Sequence, residues 1–349
     1  MARADFHALT VARVDPLTAD SAAVTFAVPE ELRETFAFRP GQSLTVRHGD
    51  ERRSYSICAP AGHPPRVGVR EVAGGAVSGW LVRGVRPGDV VGVQAPAGSF
   101  TPDLATPGNH VLIAAGSGIT PVLSIASSVL AADATSTVTI VYGNRRTDTV
   151  MFADEIADLK DAYPSRVVLL HVLSREAQEV DLFTGRLDPA KLRVLLPTAV
   201  DVATVDHWWL CGPYPMITGA IEVLTGLDVD RARIHRELFY VEDTAPEPVE
   251  HVDASVAGAA RVTVVLDGRS TVVPVERTVP ILDGSQRVRS DLPFACKGGV
   301  CGTCRAKVIS GQVRMRRNFA LEQDELAAGY VLTCQALPVT DEVTVDYDA

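Results

Sequence analysis

Histidine is scarce in this chain, with eight in 349 residues, and none has a glutamate three positions before it. A carboxylate-bridged di-iron site on bundle helices needs such Glu-x-x-His pairs, so this chain does not hold one. No haem-binding signature occurs either, which leaves it without a centre for activating oxygen. Positive charge is in deficit: Lys and Arg number 33 against 43 Asp and Glu, a net charge of −10. A phosphate backbone attracts the opposite sign, so nucleic acid is not the expected partner. The opening stretch MARADFHALT lacks the apolar core of a signal peptide. The expectation is a cytoplasmic protein whose cysteines stay reduced, ready for metal or redox chemistry instead of disulfides. Internal repeats are absent.

One uncharged run is long enough to cross a bilayer, the 22 residues from Val111 to Ala132. It contains AAGSGITP, where glycine, threonine and proline make a turn, followed by a serine-rich segment. A strand, a turn and a buried helix account for it better than a membrane span. Apolar residues at 46% and charged residues at 22% describe an ordinary soluble protein, long enough for two or three domains. The acid is unevenly placed. From Arg261 onward 11 bases face 11 acids, so the excess negative charge all precedes that residue.

The stretch CKGGVCGTC places Cys296, Cys301 and Cys304 in the spacing C-x4-C-x2-C, and Cys334 follows after 29 intervening residues. Structural zinc favours two separated C-x2-C pairs, and only one is present. A catalytic cysteine would leave three others unexplained. The spacing is the plant-type 2Fe–2S pattern, four thiolates around a compact inorganic core. Gly298, Gly299 and Gly302 let the backbone fold tightly, so that its N–H groups can face the sulfides. Around the cysteines, RVTVVLDGRSTVVPV alternates about Asp267-Gly268 as a hairpin. TVPILDGSQRV predicts a short helix with Thr278 as cap and Pro280 in its first turn, and CRAKVISGQV predicts another hairpin. This order of elements resembles a plant-type ferredoxin domain, a β-grasp fold. It departs from the plant proteins in being neutral overall, with Lys297, Arg305, Lys307, Arg314, Arg316 and Arg317 making the cluster region basic.

A 2Fe–2S cluster passes one electron at a time, whereas a nicotinamide gives up a hydride. A flavin joins the two, so a flavin site and a nucleotide site are expected upstream. RRSYSIC (52–58) is the flavin candidate: Arg53 for a phosphate, Tyr55 against the ring, Ser56 near the flavin's N5. The bland reading is a strand whose tyrosine packs in a barrel core. In GGAVSGWL (74–81), Gly75 and Ser78 would bring backbone and hydroxyl to a pyrophosphate. Short alternating strands such as SAAVTFAVP, QSLTVRHG and DVVGVQAPAG predict a small antiparallel barrel around both.

The middle third reads differently. HVLIAAG, STVTIVYG, RVVLLHVLS and HWWLCGP are near-continuous apolar runs separated by helical segments, the pattern of a doubly wound parallel sheet. Beyond the strand ends lie GSGITP (116–121), GNRR (143–146), SRE (174–176) and CGPYPM (211–216), where ligands of such sheets bind. GSGITP opens a helix and suits a pyrophosphate. Ser174 and Arg175, with Arg145 or Arg146 nearby, would hold a 2′-phosphate, which favours NADPH, with NADH the alternative; otherwise these arginines are merely solvated. Cys211 is either a small core residue or a neighbour of the nicotinamide that orients hydride transfer. Cys58 reads as core.

RSYS, GxxS, GSGITP, SRE and CGPxxM, in that order, resemble the ferredoxin–NADP reductase superfamily with a ferredoxin fused at the C-terminus. Nearly the whole chain is covered. Within the superfamily FRPGQSLTV, RRSYSICAP, ACKGGVCGTC and DELAAGYVLTCQALP are most similar to the reductase components of bacterial phenylacetyl-CoA epoxidases. The resemblance implies that Arg53, Tyr55 and Ser56 hold FAD, and that Gly75, Val77 and Ser78 hold its pyrophosphate. It implies NAD(P)H at Gly116, Ser117, Gly118, Ile119, Thr120, Pro121, Asn144, Arg145, Ser174, Arg175, Cys211, Gly212, Pro213 and Met216. Tyr55, Ser56, Cys211 and Glu237 would be catalytic, the last with Phe239 in RELFY at the flavin edge. Cys296, Cys301, Cys304 and Cys334 would bind the cluster. The residues themselves leave FMN open beside FAD.

The expected domains are an FAD-binding barrel over 1–104, an NAD(P)H-binding α/β domain over 105–241, a linker over 242–260 and a 2Fe–2S domain over 261–349. The linker is rich in Pro, Ala and acid, and would hold the cluster at high local concentration beside the flavin. The expected function is an NAD(P)H-dependent reductase delivering single electrons to a partner di-iron oxygenase, an epoxidase of phenylacetyl-CoA, with no membrane involved. The alternatives are the reductase of a Rieske or steroid hydroxylase, and a non-catalytic redox sensor.

Overall fold

The computed structural model describes residues 6–49, 51–240, 258–289, 291–294, 296–321 and 323–349. They form two compact units, Phe6–Phe239 and Tyr240–Ala349. In the first, β1 (His7–Thr18), β2 (Ser21–Ala27), β3 (Ser43–His48), β4 (Glu51–Ser56), β5 (Arg66–Arg70) and β6 (Val90–Val93) make one antiparallel sheet in the order β4-β3-β6-β1-β2-β5. Leu9 and Val11, Val24 and Phe26, Leu44 and Val46, Val67 and Val69, and Val91 and Val93 are buried together. Each pair is two residues apart, the period that sends side chains to one face of a strand. Ile57 bridges Val67, and the Cys58 N–H donates to the Arg66 carbonyl at 2.8 Å, so the edge strands meet and the sheet closes into the expected barrel. A single helical turn, α1 (Ala76–Gly79), lies between β5 and β6.

The same unit carries a second sheet: β7 (Asn109–Ala115), β8 (Thr137–Asn144), β9 (Val167–Leu173), β10 (His207–Pro213) and β11 (Ile234–Tyr240), ordered β11-β10-β7-β8-β9. β10, β7, β8 and β9 run parallel. The connections carry α2 (Ile119–Ala132), α3 (Ala153–Ala162), α4 (Pro189–Ala199) and α5 (Tyr214–Gly226). The uncharged run from Val111 is therefore most of β7, a tight turn and the buried α2. Among the described residues no helix is long and apolar enough to cross a membrane. After β7 the chain adds strands to one side and later to the other. The crevice between β7 and β10 is thus the switch point at which such sheets bind ligands.

In the second unit β12 (Ala260–Leu266), β13 (Arg269–Val275), β14 (Arg305–Ser310), β16 (Tyr330–Leu332) and β18 (Glu342–Asp346) form a mixed sheet, ordered β13-β12-β18-β14-β16; β15 (Val313–Met315) pairs with β17 (Ala336–Pro338). α6 (Ile281–Gln286) and α7 (Gln323–Ala327) complete the unit. Asp267 and Gly268 both have positive φ, 52° and 68°, the two-residue turn that matches strand twist. Two expectations are corrected. The helix cap is Pro280, whose ψ of 142° keeps it extended and whose carbonyl takes the Gly284 N–H; Thr278 lies outside. And β14 and β15 do not pair as a hairpin. Gly311 turns against the Glu342 backbone and Thr340, sending β14 to β18 and β16, and β15 to β17. Residues 242–257 of the expected linker lie outside the described residues, and β12 takes its last residue, Ala260.

Candidate functional site

The cysteine loop departs from ordinary backbone at Lys297, Gly299 and Gly302, with φ of 52°, 78° and 68°. That path turns amides inward: the Gly298 N–H donates to Cys296 Sγ at 3.3 Å. The Cys296 thiol is drawn down to about 5 by the Cys301 thiol, helped by the N–H groups of Val300, Cys301 and Gly298 against the cost of burial. The thiols lie near one another in two pairs, Cys296 by Cys301 and Cys304 by Cys334. Among the described residues no three His, Cys, Asp or Glu side chains gather as ligands of one ion. Two thiolates for each of two irons is what a 2Fe–2S cluster requires, so the residues fit that group. Cys301 is exposed while Cys304 and Cys334 are buried, so one edge of the site meets solvent.

Three residues around this loop carry no signal in the sequence. Thr333 donates to the Cys304 carbonyl twice, from its N–H at 3.1 Å and its hydroxyl at 2.9 Å. Tyr347 and Thr333 share a hydroxyl–hydroxyl bond of 2.7 Å. Gln335 Nε2 donates to the Lys297 carbonyl at 2.8 Å and stands 3.7 Å from Cys334 Sγ. Of the basic residues, Lys297 pairs with Asp283 at 2.8 Å and Arg305 with Glu325 at 2.7 Å, while Arg314 is exposed. The Phe319 N–H donates to the Gly299 carbonyl at 3.1 Å, so the segment bearing Arg316 and Arg317 runs beside the loop.

In the first unit, β4 presents Arg53, Tyr55 and Ser56. Arg53 is held by Glu51 at 3.1 Å, and burial pushes the Tyr55 hydroxyl up, so it stays neutral. Ser56 Oγ donates to Glu237 Oε2 at 3.0 Å. Burial raises the Glu237 carboxyl to about 7, a rise the Ser56 hydrogen bond partly offsets. The Ser78 hydroxyl is turned inward: it accepts from the Val72 N–H at 3.1 Å and donates to the Gly75 carbonyl at 3.2 Å. Val77 is buried in the barrel core.

At the carboxyl edge of the parallel sheet, a Cβ on Gly118 would stand 2.2 Å from the Cys211 carbonyl oxygen, so only glycine lets GSGITP approach β10. Gly116 has φ 55°, and its carbonyl accepts from the Tyr142 hydroxyl at 2.9 Å. Thr120 Oγ1 donates to the Ser117 carbonyl, and the Ile119 and Pro121 side chains are buried, which leaves backbone and Ser117 facing outward. Cys211 is fully buried, and its thiol is pushed well above the ordinary value by burial and then by the Glu237 carboxylate. Met216 packs against Gly212, and Pro213 is exposed. The Ser174 N–H donates to the Asn144 carbonyl at 2.9 Å and the Arg175 N–H to that of Arg145 at 2.8 Å, joining two of the four loops; both arginines are exposed. Asn144 itself is buried beside the Tyr142 hydroxyl, and its side-chain amide makes no hydrogen bond of full geometry among the described residues, a group that a nucleotide would satisfy. Sequence reasoning missed Arg70, which reaches from β5 to within 3.2 Å of a Cβ position on Gly116 and donates to the Thr149 carbonyl.

Comparison with known proteins fits this arrangement. The oxidoreductase NAD-binding domain matches residues 112–222, and the 2Fe–2S iron–sulfur cluster binding domain matches residues 264–339. The chain is 42% identical over 354 residues to a component of the 1,2-phenylacetyl-CoA epoxidase of Escherichia coli strain K12, covering 99% of this chain and 98% of that one. It belongs to the ferredoxin–NADP reductase superfamily, with a fused 2Fe–2S domain. The chain is also 35% identical to the ferredoxin reductase component of 3-ketosteroid-9-alpha-monooxygenase from Rhodococcus rhodochrous, covering 97% of this chain and 96% of that one. The solved phthalate dioxygenase reductase is 22% identical, covers 98% of both chains at a TM-score of 0.63, and shares the fold. As a member of this superfamily the chain is an NAD(P)H oxidoreductase carrying FAD and a 2Fe–2S cluster, the electron-transfer component of an oxygenase. Bound flavin supplies the junction between a two-electron donor and a one-electron cluster.

Proposed function

We propose that this chain draws electrons from NADPH and delivers them to a di-iron oxygenase acting on phenylacetyl-CoA, in cytoplasmic phenylacetate degradation. The acceptor follows the likeness to the epoxidase component of Escherichia coli. One observation carries the reductase reading: Ser56 from the barrel, Glu237 from β11 and Cys211 from β10 converge, so the flavin side and the nucleotide side share one cluster of groups. In it Tyr55 would lie on the flavin ring. Ser56 and Glu237 would hold a proton near it, and the neutral Cys211 thiol would orient the nicotinamide. Arg53 and the backbone of Gly75 would hold the flavin phosphates, while Val77 and Ser78, turned inward, would shape the turn that presents that backbone. The backbone of Gly116–Pro121, with Asn144, Gly212, Pro213 and Met216, would hold the nucleotide, and Ser174, Arg175 and Arg145 a 2′-phosphate. Cys296 and Cys301 would bind one iron, Cys304 and Cys334 the other. The domains then run 1–104, 105–241 and 261–349 around a linker at 242–260. Purified protein should show flavin and 2Fe–2S absorbance, release FAD on denaturation, and be reduced at lower concentrations of NADPH than of NADH. With a candidate phenylacetyl-CoA oxygenase, NADPH consumption should rise on adding phenylacetyl-CoA. A rise with a 3-ketosteroid instead would favour the second reading, which the likeness to the Rhodococcus component supports.

A further inference from the structure

The two faces of β5 meet different neighbours. Val67 and Val69 belong to the barrel core, so Arg66, Gly68 and Arg70 lie on the other face, two residues apart. All three meet the nucleotide-binding half of the unit. Arg66, largely buried, donates to both carboxylate oxygens of Glu155 in α3, at 2.8 and 2.9 Å, and to Asp15 of the barrel at 3.1 Å. Arg70 donates to the Thr149 carbonyl. Gly68 between them is a notch: a Cβ there would stand 2.4 Å from Thr120 Cγ2 and 2.8 Å from Phe152 Cζ. Phe152 fills the notch at the expense of its own backbone. It is the N-cap of α3, yet it has φ 59° and its side chain caps nothing.

The barrel also grips α2. Thr120, Ser124 and Ser128 recur every four residues, one stripe of the helix, and all three are buried. Ser124 Oγ donates to the Ala59 carbonyl at 2.6 Å, and Ser128 Oγ accepts from the Ala61 N–H at 2.9 Å. Ala59 and Ala61 lie on the segment that leaves β4, the strand of Tyr55 and Ser56. One helix therefore carries the GSGITP turn at its start and is fastened along its length to the flavin strand's own continuation. Transfer of a hydride from nicotinamide to flavin needs the reacting atoms about 3–3.5 Å apart, and a misplacement of about 1 Å can cost about a hundredfold. We propose that Gly68 and Ser124 are positioning residues for that transfer, which fix the register of α2 on the barrel and leave the affinity for either ligand to other groups. The inference rests on the placement of flavin and nucleotide given above.

The test uses the full-length holoprotein and two readings. Stopped-flow mixing with NADPH gives the rate of flavin reduction. Titration of the reduced protein with NADP+ gives its Kd and the long-wavelength charge-transfer absorbance of stacked flavin and nicotinamide, which reports ring contact without turnover. Gly68→Ala should slow flavin reduction about tenfold or more and remove most of the charge-transfer band, with the Kd within about threefold and flavin and 2Fe–2S content unchanged. Ser124→Ala, which adds no atom, should move both readings the same way by about threefold, and carries the test should the Gly68 variant not fold. Leu196→Ala, a loss of buried packing in α4 away from this seam, should match the wild type in rate and band. Equal slowing by Leu196→Ala would mean that general loosening is responsible, and overturns the inference. So would rate and affinity falling by one common factor, or no change with either seam variant. Gly118→Ala, inside the nucleotide turn, tests the underlying placement: if it leaves the Kd for NADP+ intact, that placement falls and the inference with it.

Discussion

Glu237 is a carboxyl that burial holds near neutrality, poised at about 7 beside a serine hydroxyl. Its raised value means that it carries a proton below about pH 7 and is charged above. The pH profile of flavin reduction by NADPH in single-turnover experiments should therefore show an inflection near 7. Glu237→Gln should remove the inflection and leave the absorbance of the cluster unchanged. At the other centre, Tyr347→Phe deletes the hydroxyl bonded to Thr333, and with it part of the support of the Cys304 carbonyl. A neutral hydrogen bond is worth about 1 kcal/mol net, so the expected effect is modest: a several-fold faster loss of 2Fe–2S absorbance in air. The cysteines and the RSYS stretch are legible as residues because their spacing carries the chemistry. Thr333, Gln335 and Tyr347 are not, because common residues acquire a role only when β17 and β18 bring them to the loop.

Elements follow the same division. The turn at Asp267-Gly268 and the alternation of short barrel strands are local properties, and they form where the sequence places them. The mistaken hairpin at β14 and β15 has a non-local cause: β14 finds its partners in β16 and β18, which the chain reaches only later. The approach of α2 to β10 has the same character. Gly118→Ala must force the first turn of α2 away from the Cys211 carbonyl, since backbone cannot yield as a flexible side chain does. The expected outcome is a KM for NADPH raised about tenfold or more, with about 1–3 kcal/mol of stability lost in urea unfolding. Gly226→Ala at the end of α5, where a Cβ would meet nothing within 4 Å, is the control and should be neutral or slightly stabilising.

For the whole molecule, acid should act first on the unit holding both the barrel and the parallel sheet. His110, His207 and His235 stack across adjacent strands with Trp209, whose indole N–H donates to His110 Nδ1 at 3.1 Å. Burial, then the charge of His207, holds His110 down to about 4, while Asp206 pulls the other way; His235 is likewise held to about 4, with Arg231 adding to the effect. Both values lie below the unfolded 6.5, so the unfolded chain takes up protons first as pH falls. Their contribution is fully present above pH 6.5 and is lost progressively toward pH 4, by up to about 3 kcal/mol for the deeply buried His110 and less for His235. All three tryptophans lie in this unit, so their fluorescence in urea titrations reports it alone, and His110→Asn should flatten the slope between pH 6.5 and 4.5. In the other unit, Glu in place of Arg314, Arg316 and Arg317 should slow reduction of the oxygenase and abolish its salt dependence, with ferricyanide reduction unchanged. Indifference to both salt and charge would refute docking through that face. By itself the sequence determined which cofactor chemistry the chain supports, since thiolate spacing, turn glycines and strand periodicity act over a few residues. The tertiary structure alone decided that Ser56, Cys211 and Glu237 meet and that the four thiols divide two and two. Such meetings join residues up to 181 apart, and only burial of the strands between them sets the distance.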